Sequence, residues 1–123
     1  MSGLSSRSEN EQRIYSLLSL CKKAGKVEGG DLAVMDSIRS GKAVLVLIAE
    51  DASDNTKKKV RDKCEYRRIS WVVFGSREGL GHATGAGERA ALAVTDPGFA
   101  ETLRKRLAIE EQKGESNGKD QNF

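Results

Sequence analysis

The apolar positions of this chain change period several times, and each change marks an element. Ile14, Leu17, Leu18 and Cys21 recur at helical spacing between Glu11 and Ala24, which predicts an amphipathic helix that Gly25 ends. Val27 opens a short strand, and Gly29-Gly30 follows as a flexible joint. Asp31 leads a second helix with apolar surface at Leu32, Val34, Met35 and Ile38, and Gly41 stops it. The run from Val44 to Ala49 is apolar throughout. Lack of polar alternation belongs to a strand buried on both faces. That strand enters the acidic turn Glu50-Asp51 and then a lysine-rich helix from about Asn55 to Tyr66, which Ser53 or Asp54 can cap. Val60 and Cys64 share one face of it, four residues apart. Ile69 to Phe74 is rich in β-branched and aromatic residues and predicts a strand. Ser76 to Ala83 can hold a short helix, and Ala90 to Thr95 a further strand. Pro97 then suits the first position of a last helix, from which Phe99, Leu103 and Leu107 point inward.

Alternation of strands and helices predicts an α/β fold, a three-layer α/β/α sandwich. Strand–helix–strand units cross over right-handed, so the residues alone lead to strands paired in parallel. Ligands of open α/β sheets sit beyond the carboxyl ends of central strands, here the polar and basic segment after Ala49. Residues 1–10 read as a flexible N-terminus, 11–110 as one domain and 111–123 as a disordered tail. From Gly114 to Asn122 no apolar periodicity recurs, so that stretch has too little apolar surface to order itself.

Composition narrows the class. A chain of 123 residues is one domain by length, and its 32% charged and 37% apolar residues fit a soluble domain. No apolar run approaches the roughly 18 residues of a membrane span. The first seven residues lack the apolar core of a secretory signal, so the expectation is a cytoplasmic protein that meets no membrane. The 21 Lys and Arg exceed the 18 Asp and Glu by three. A phosphate-rich partner is compatible with that excess but not required by it. Cys21 and Cys64 lie far apart and in no metal-spaced pair; two buried free thiols in a reducing compartment is the plain reading, ahead of a disulfide or a catalytic thiol.

Other signals weigh against catalysis. The run from Gly79 to Gly87 imitates a dinucleotide loop, yet Ser76-Arg77-Glu78 separates it from the preceding strand, and no full crossover helix fits before the next. Its small residues are better read as allowing a short helix to pack tightly and turn. His82 is the lone histidine, with no acid, nucleophile or metal partner in the sequence, and is expected to be a partly exposed helical residue. Trp71 and Phe74 are expected in the core. Lys57, Lys58, Lys59, Arg61, Lys63, Arg67 and Arg68 form the densest basic segment. They spread around the helix, so a solvated face is the first reading and a second RNA or ribosomal contact the next. No catalytic residue, metal site, cofactor or small-molecule substrate is expected.

Several segments are familiar in combination: Ala24-Gly25-Lys26 ahead of Gly30, Ala49-Glu50-Asp51-Ala52-Ser53 with Asn55-Thr56-Lys57-Lys58-Lys59, Asp62-Lys63-Cys64, Leu80-Gly81 with Gly85, and Ala93-Val94-Thr95-Asp96 with Gly98-Phe99-Ala100. In this order they resemble the kink-turn-binding ribosomal protein superfamily of the seven-Ae type, and within it the small bacterial YlxQ-like branch. The resemblance runs from about Ile14 to Leu107. It implies an α/β/α sandwich around a small sheet of mixed strand directions, which displaces the all-parallel expectation. It also implies RNA binding without catalysis, at the start of the second helix and a nearby loop, on RNA bends built from sheared G·A pairs. Family readers carry Gly-x-Asn-Glu there, with a lysine one turn on. Aligned on Gly30, this chain has Leu32, Ala33 and Asp36 instead. A bidentate base contact is worth about 1–3 kcal/mol, so two lost contacts weaken recognition by on the order of a hundredfold or more. The loop after Gly85 also departs from the family's branched apolar one, reading Ala86-Gly87-Glu88-Arg89.

What remains for RNA is backbone and cations. The candidate binding residues are Lys22, Lys23, Lys26, Gly29, Gly30, Asp31, Leu32, Ala33 and Arg89. The glycines admit a close backbone approach, free N–H groups at the helix start meet phosphate, and the cations add salt-dependent contacts. Asp31 and Asp36 oppose an anion. The expected function is a non-catalytic binder of structured RNA, a kink-turn among the candidates, with the ribosome as a possible setting. The alternative is a protein-interaction module on the ribosome or transcription apparatus whose RNA recognition has weakened.

Overall fold

The computed structural model describes residues 5–113. Its elements in chain order are α1 Ser5–Lys23, β1 Val27–Gly29, α2 Asp31–Arg39, β2 Leu45–Ile48, α3 Asp54–Arg67, β3 Ser70–Val73, α4 Arg77–Ala83, β4 Ala91–Val94 and α5 Pro97–Lys113. The strands form one sheet in the order β1-β4-β2-β3. α1, α4 and α5 pack together on one face, and α2 packs with α3 on the other. The three-layer α/β/α arrangement is therefore present.

The sheet is mixed, which corrects the expectation of parallel strands drawn from the alternation alone. β2 and β3 are parallel, as a full crossover helix requires, whereas β4 is antiparallel to both β2 and β1. The cause lies between Arg77 and Ala90. α4 has seven residues, about 10 Å of helix. The chain then doubles back: the Ala86 N–H bonds the Gly81 carbonyl at 2.8 Å, and the Arg89 N–H bonds the Arg77 carbonyl at 3.0 Å. It re-enters the sheet at the end it left, so β4 must descend.

Burial follows the apolar pattern closely. Leu45, Val46, Leu47 and Ile48 are all buried, as is every residue of β4. Val60 and Cys64 are the buried face of α3, and Leu103 and Leu107 are that of α5, with Phe99 half-buried. Ser53, rather than Asp54, caps α3: its Oγ accepts the Thr56 N–H at 3.1 Å. Phe74 is buried against Tyr15, ring centroids 5.3 Å apart, and Trp71 is half-buried against the core.

Helix ends differ from the expected boundaries. α1 starts at Ser5 instead of Glu11, six residues of which the pattern gave no sign. Asn10 explains part of that extension: it is buried, and its Nδ2 donates to the Arg106 carbonyl at 3.1 Å and to Glu110 Oε2 at 2.7 Å, pinning α1 to α5. α5 runs to Lys113, past the expected end at residue 110. Of the expected flexible N-terminus 1–10 and disordered tail 111–123, residues 5–10 and 111–113 are helical, and residues 1–4 and 114–123 lie outside the described residues.

The small-residue reading of the Gly79–Gly87 run has a direct physical basis. A Cβ on Gly81 would overlap the Gly87 carbonyl oxygen, so α4 meets its own return loop backbone to backbone. Thr84 closes the turn, its Oγ1 donating to the Leu80 carbonyl at 2.9 Å. Gly81→Ala is accordingly expected to destabilise at or beyond the upper end of the about 1–3 kcal/mol typical of overpacking. Urea denaturation with an unchanged slope checks this.

Cys21 and Cys64 are free and fully buried. Burial pushes their thiols up to about 11 and about 12, and it raises Tyr15 as well. The folded state then keeps protons that the unfolded chain releases from about pH 9 upward. Stability supplied by these neutral thiols is full below that pH and declines as pH rises toward 11. Urea midpoints at pH 8 and pH 10.5 should show the decline, and iodoacetamide at pH 8 should label the native thiols far more slowly than the unfolded ones.

Candidate nucleic-acid interface

Strand directions bring distant segments to one rim. β1 and β2 both end there, and β4 begins there, since Gly29 pairs with Leu92 and Ile48 with Ala91. The rim is the carboxyl end of the central apolar strand, where the sequence pattern directed attention.

Gly30 turns the chain from β1 into α2. Its φ of 100° and ψ of 145° lie in a region open essentially to glycine, and it caps α2 with no side-chain bond. The Val34 N–H makes the first bond of the helix to the Gly30 carbonyl at 2.9 Å. The N–H groups of Asp31, Leu32 and Ala33 precede that ladder and are open to a ligand. These residues, with Gly29, Gly30, Glu88, Arg89 and Ala90, line an open groove of about 530 Å³.

Arg89 forms the wall between this groove and a smaller recess of about 40 Å³ bounded by Lys22, Val27, Gly29, Thr84, Ala86 and Leu92. The Arg89 side chain lies directly on Gly29: a Cβ there would stand 3.0 Å from Arg89 Nε and 3.2 Å from its Cδ. Glycine at position 29 thus admits the arginine rather than a turn. Leu32 is 79% exposed, an uncovered apolar side chain at the groove mouth.

Of the residues expected from sequence, Gly29, Gly30, Asp31, Leu32, Ala33 and Arg89 meet in the groove, and Lys22 joins Arg89 through the recess. Lys23 and Lys26 line neither. The Lys26 carbonyl accepts the Thr95 N–H at 2.9 Å, which places its backbone at the opposite end of β1. Proximity in sequence does not become proximity in space there, because β1 carries the chain a full strand length away.

Glu88, Ala90, Thr84 and Ala86 belong to the linings and were not singled out as binding residues. Arg77 was missed as a support. It stands 3.6 Å from Glu88 and 3.7 Å from Asp51, and its N–H donates to Asp51 Oδ1 at 2.8 Å. Exposed pairs of this kind contribute about 0–1 kcal/mol; their larger effect is to offset the Glu88 charge next to Arg89. Among the described residues, no cation lies within ion-pair distance of Asp31. Also among the described residues, no group of three or more His, Cys, Asp or Glu could hold a metal ion, and no helix is long and apolar enough to cross a membrane.

Comparison with known proteins adds five findings. A family model described as the ribosomal protein L7Ae/L30e/S12e/Gadd45 family matches residues 12–104. The chain is 46% identical over 89 residues to the Bacillus subtilis RNA-binding protein YlxQ, covering 72% of this chain and 89% of that one. It is 29% identical over 105 residues to the large ribosomal subunit protein eL8 of Thermoplasma volcanium, covering 83% and 87%. Among solved structures, a Bacillus halodurans protein of unknown function superposes with a TM-score of 0.74 at 36% identity, over 77% of this chain and 96% of that one. The Giardia lamblia 15.5kD RNA binding protein does so at 0.67 and 20% identity, over 85% and 89%, a likeness of fold alone.

Two glycine substitutions separate strain from crowding at the rim. Gly30→Ala meets nothing within 4 Å, so its cost, about 1–3 kcal/mol, comes from φ alone. Gly29→Ala carries no positive-φ penalty; its Cβ would crowd the movable Arg89 side chain and stand 3.1 Å from Cδ2 of the buried Leu92, contacts that shifts of a few tenths of an ångström relieve, so it should cost less. Thermal unfolding of the two variants should rank them in that order.

Proposed function

The chain belongs to the ribosomal protein L7Ae/L30e/S12e/Gadd45 family, and from that premise we propose that it is a non-catalytic RNA-binding protein of the cytoplasm that grips a kink-turn or similarly bent RNA in the groove at the start of α2. The observation that carries this reading is the convergence of free backbone N–H groups at the start of α2 with Arg89 on one glycine-lined wall. YlxQ of Bacillus subtilis is named as RNA-binding and the Thermoplasma protein as ribosomal, which supports an RNA partner and a ribosomal setting for this chain.

The groove is suited to gripping a backbone. Its N–H groups and the positive end of the α2 dipole meet phosphate, and Arg89 and Lys22 supply mobile positive charge. Leu32 and Ala33 offer no hydrogen bond to a base edge, so the contact is with shape and phosphate, plus an apolar surface for an unstacked base. Asp31 keeps affinity moderate by repelling phosphate at close range, while Arg77 draws off the charge of Glu88.

Titration with a kink-turn RNA, and with the same RNA whose sheared G·A pairs are replaced by Watson–Crick pairs, tests the reading. The bent RNA should bind more tightly, and affinity should fall steeply with salt. Arg89→Ala and Lys22→Ala should each flatten the logarithmic salt dependence by roughly 0.7–0.9, with Arg89→Lys close to the parent. Equal binding of both RNAs would remove the kink-turn. No binding at low salt removes RNA altogether and leaves a protein-interaction module, whose contacts change little with salt.

A further inference from the structure

The opposite end of the sheet presents a second surface that the groove does not use. α3 descends from the rim to the start of β3, and its last turn ends in Tyr66, Arg67 and Arg68. Tyr66 is 79% exposed. Lys63 Nζ lies 6.0 Å from the centre of its ring and Arg67 Cζ 5.8 Å, within reach of a cation–π contact. The ring is therefore flanked by two cations while its surface stays open to solvent.

The charge around it is unbalanced. Residues 57–68 hold seven Lys and Arg against two carboxylates, Asp62 and Glu65. Asp62 is already held by Lys58 at 2.7 Å and Arg61 at 3.7 Å, which lowers its pKa, the Lys58 bond foremost. Among the described residues, no carboxylate comes within ion-pair distance of Lys63, Arg67 or Arg68. The basic residues of α3 thus divide into a part satisfied within the helix and a part, around Tyr66, that is not.

Arg68 adds a separate observation. It closes α3 with φ 60° and ψ 44°, the left-handed conformation, and is the only residue other than glycine with a positive φ among those described. Its N–H bonds the Glu65 carbonyl at 3.1 Å, and the Ile69 N–H bonds that of Cys64 at 2.8 Å. Glycine closes such helix ends without strain. Here an arginine is held in a strained conformation beside two further cations and an open ring.

We propose that this end of α3 is a second RNA contact, a platform on which an unpaired base of single-stranded RNA stacks on Tyr66 while Lys63, Arg67 and Arg68 meet the adjoining phosphates. Stacking on an aromatic ring flanked by cations is tolerant of base identity, so the contact follows strand flexibility rather than sequence. The choice of RNA over another polyanion rests on the function proposed above; the platform itself rests on the ring and its cations. The four-residue strands between the two surfaces span about 13 Å, so the protein would hold a bend at one end and an unpaired strand at the other.

Fluorescence anisotropy with a short labelled oligouridine tests this separately from the groove. The parent protein should bind it at low salt, Tyr66→Ala should lose about tenfold or more, and Tyr66→Phe should bind like the parent. Arg68→Gly should raise the thermal midpoint yet weaken oligouridine binding, a combination that a purely structural residue would not give. Affinity for the kink-turn RNA should be unchanged in Tyr66→Ala. Oligouridine binding that is absent, or that falls with Lys63→Glu but not with Tyr66→Ala, overturns the platform. If the kink-turn RNA still binds in that case, the groove stands without it. If oligouridine binds through Tyr66 while the kink-turn RNA does not, the platform stands and the groove falls.

Discussion

The antiparallel insertion of β4 between β1 and β2 is the constraint on which the rest depends. It pairs Gly29 with Leu92 and Ile48 with Ala91, and so delivers Arg89 to the mouth of α2 from more than fifty residues away in the chain. Register here is not free to drift. A slip of one residue would turn the buried Leu92 and Val94 to the other face of the sheet and lift Arg89 off Gly29. Because both faces of β4 are buried, packing on two sides resists that slip. The position of a surface cation is thereby set by core residues that never touch a ligand.

The elements were legible because their signals are local. Helical spacing at Ile14, Leu18 and Cys21 marks α1, and the unbroken apolar run of β2 marks a central strand. The direction of β4 was not legible from spacing, since it depends on how α4 and its loop turn back, through a contact between Gly81 and Gly87 that leaves only small residues as a trace. It was legible through the family resemblance, which carries topology that composition does not. Asn10 shows the same limit at an element boundary. A polar residue at the edge of an apolar pattern reads as the end of a helix, and only the partner helix reveals it as a buried tie.

The fold brings the contiguous candidates, Gly29 to Ala33, and the one distant candidate, Arg89, into one groove. It leaves Lys26 outside that groove, three residues from Gly29 in sequence but at the far end of the same strand. Arg77 escaped notice for the converse reason. Its importance comes from Asp51 and Glu88, which belong to different loops and meet only around the start of α4. Side chains that act on other side chains leave no spacing to count.

Net charge is a poor guide to this molecule. An excess of three positive charges over 123 residues suggests weak attraction to any polyanion. Screening makes local arrangement decide, because exposed charges more than about 8–10 Å apart barely sense one another at physiological salt. At the groove, Arg77, shared with Asp51, offsets part of the Glu88 charge beside Arg89, and Asp31 has no cation at ion-pair distance among the described residues. Along α3, Asp62 is satisfied by Lys58 and Arg61, and the cations around Tyr66 keep their charge for something outside the chain. Internal ion pairs at both ends thus do less for stability than for the sign of the surface. They leave Arg89 and Lys22 at one end, and Lys63, Arg67 and Arg68 at the other, without a carboxylate at ion-pair distance among the described residues.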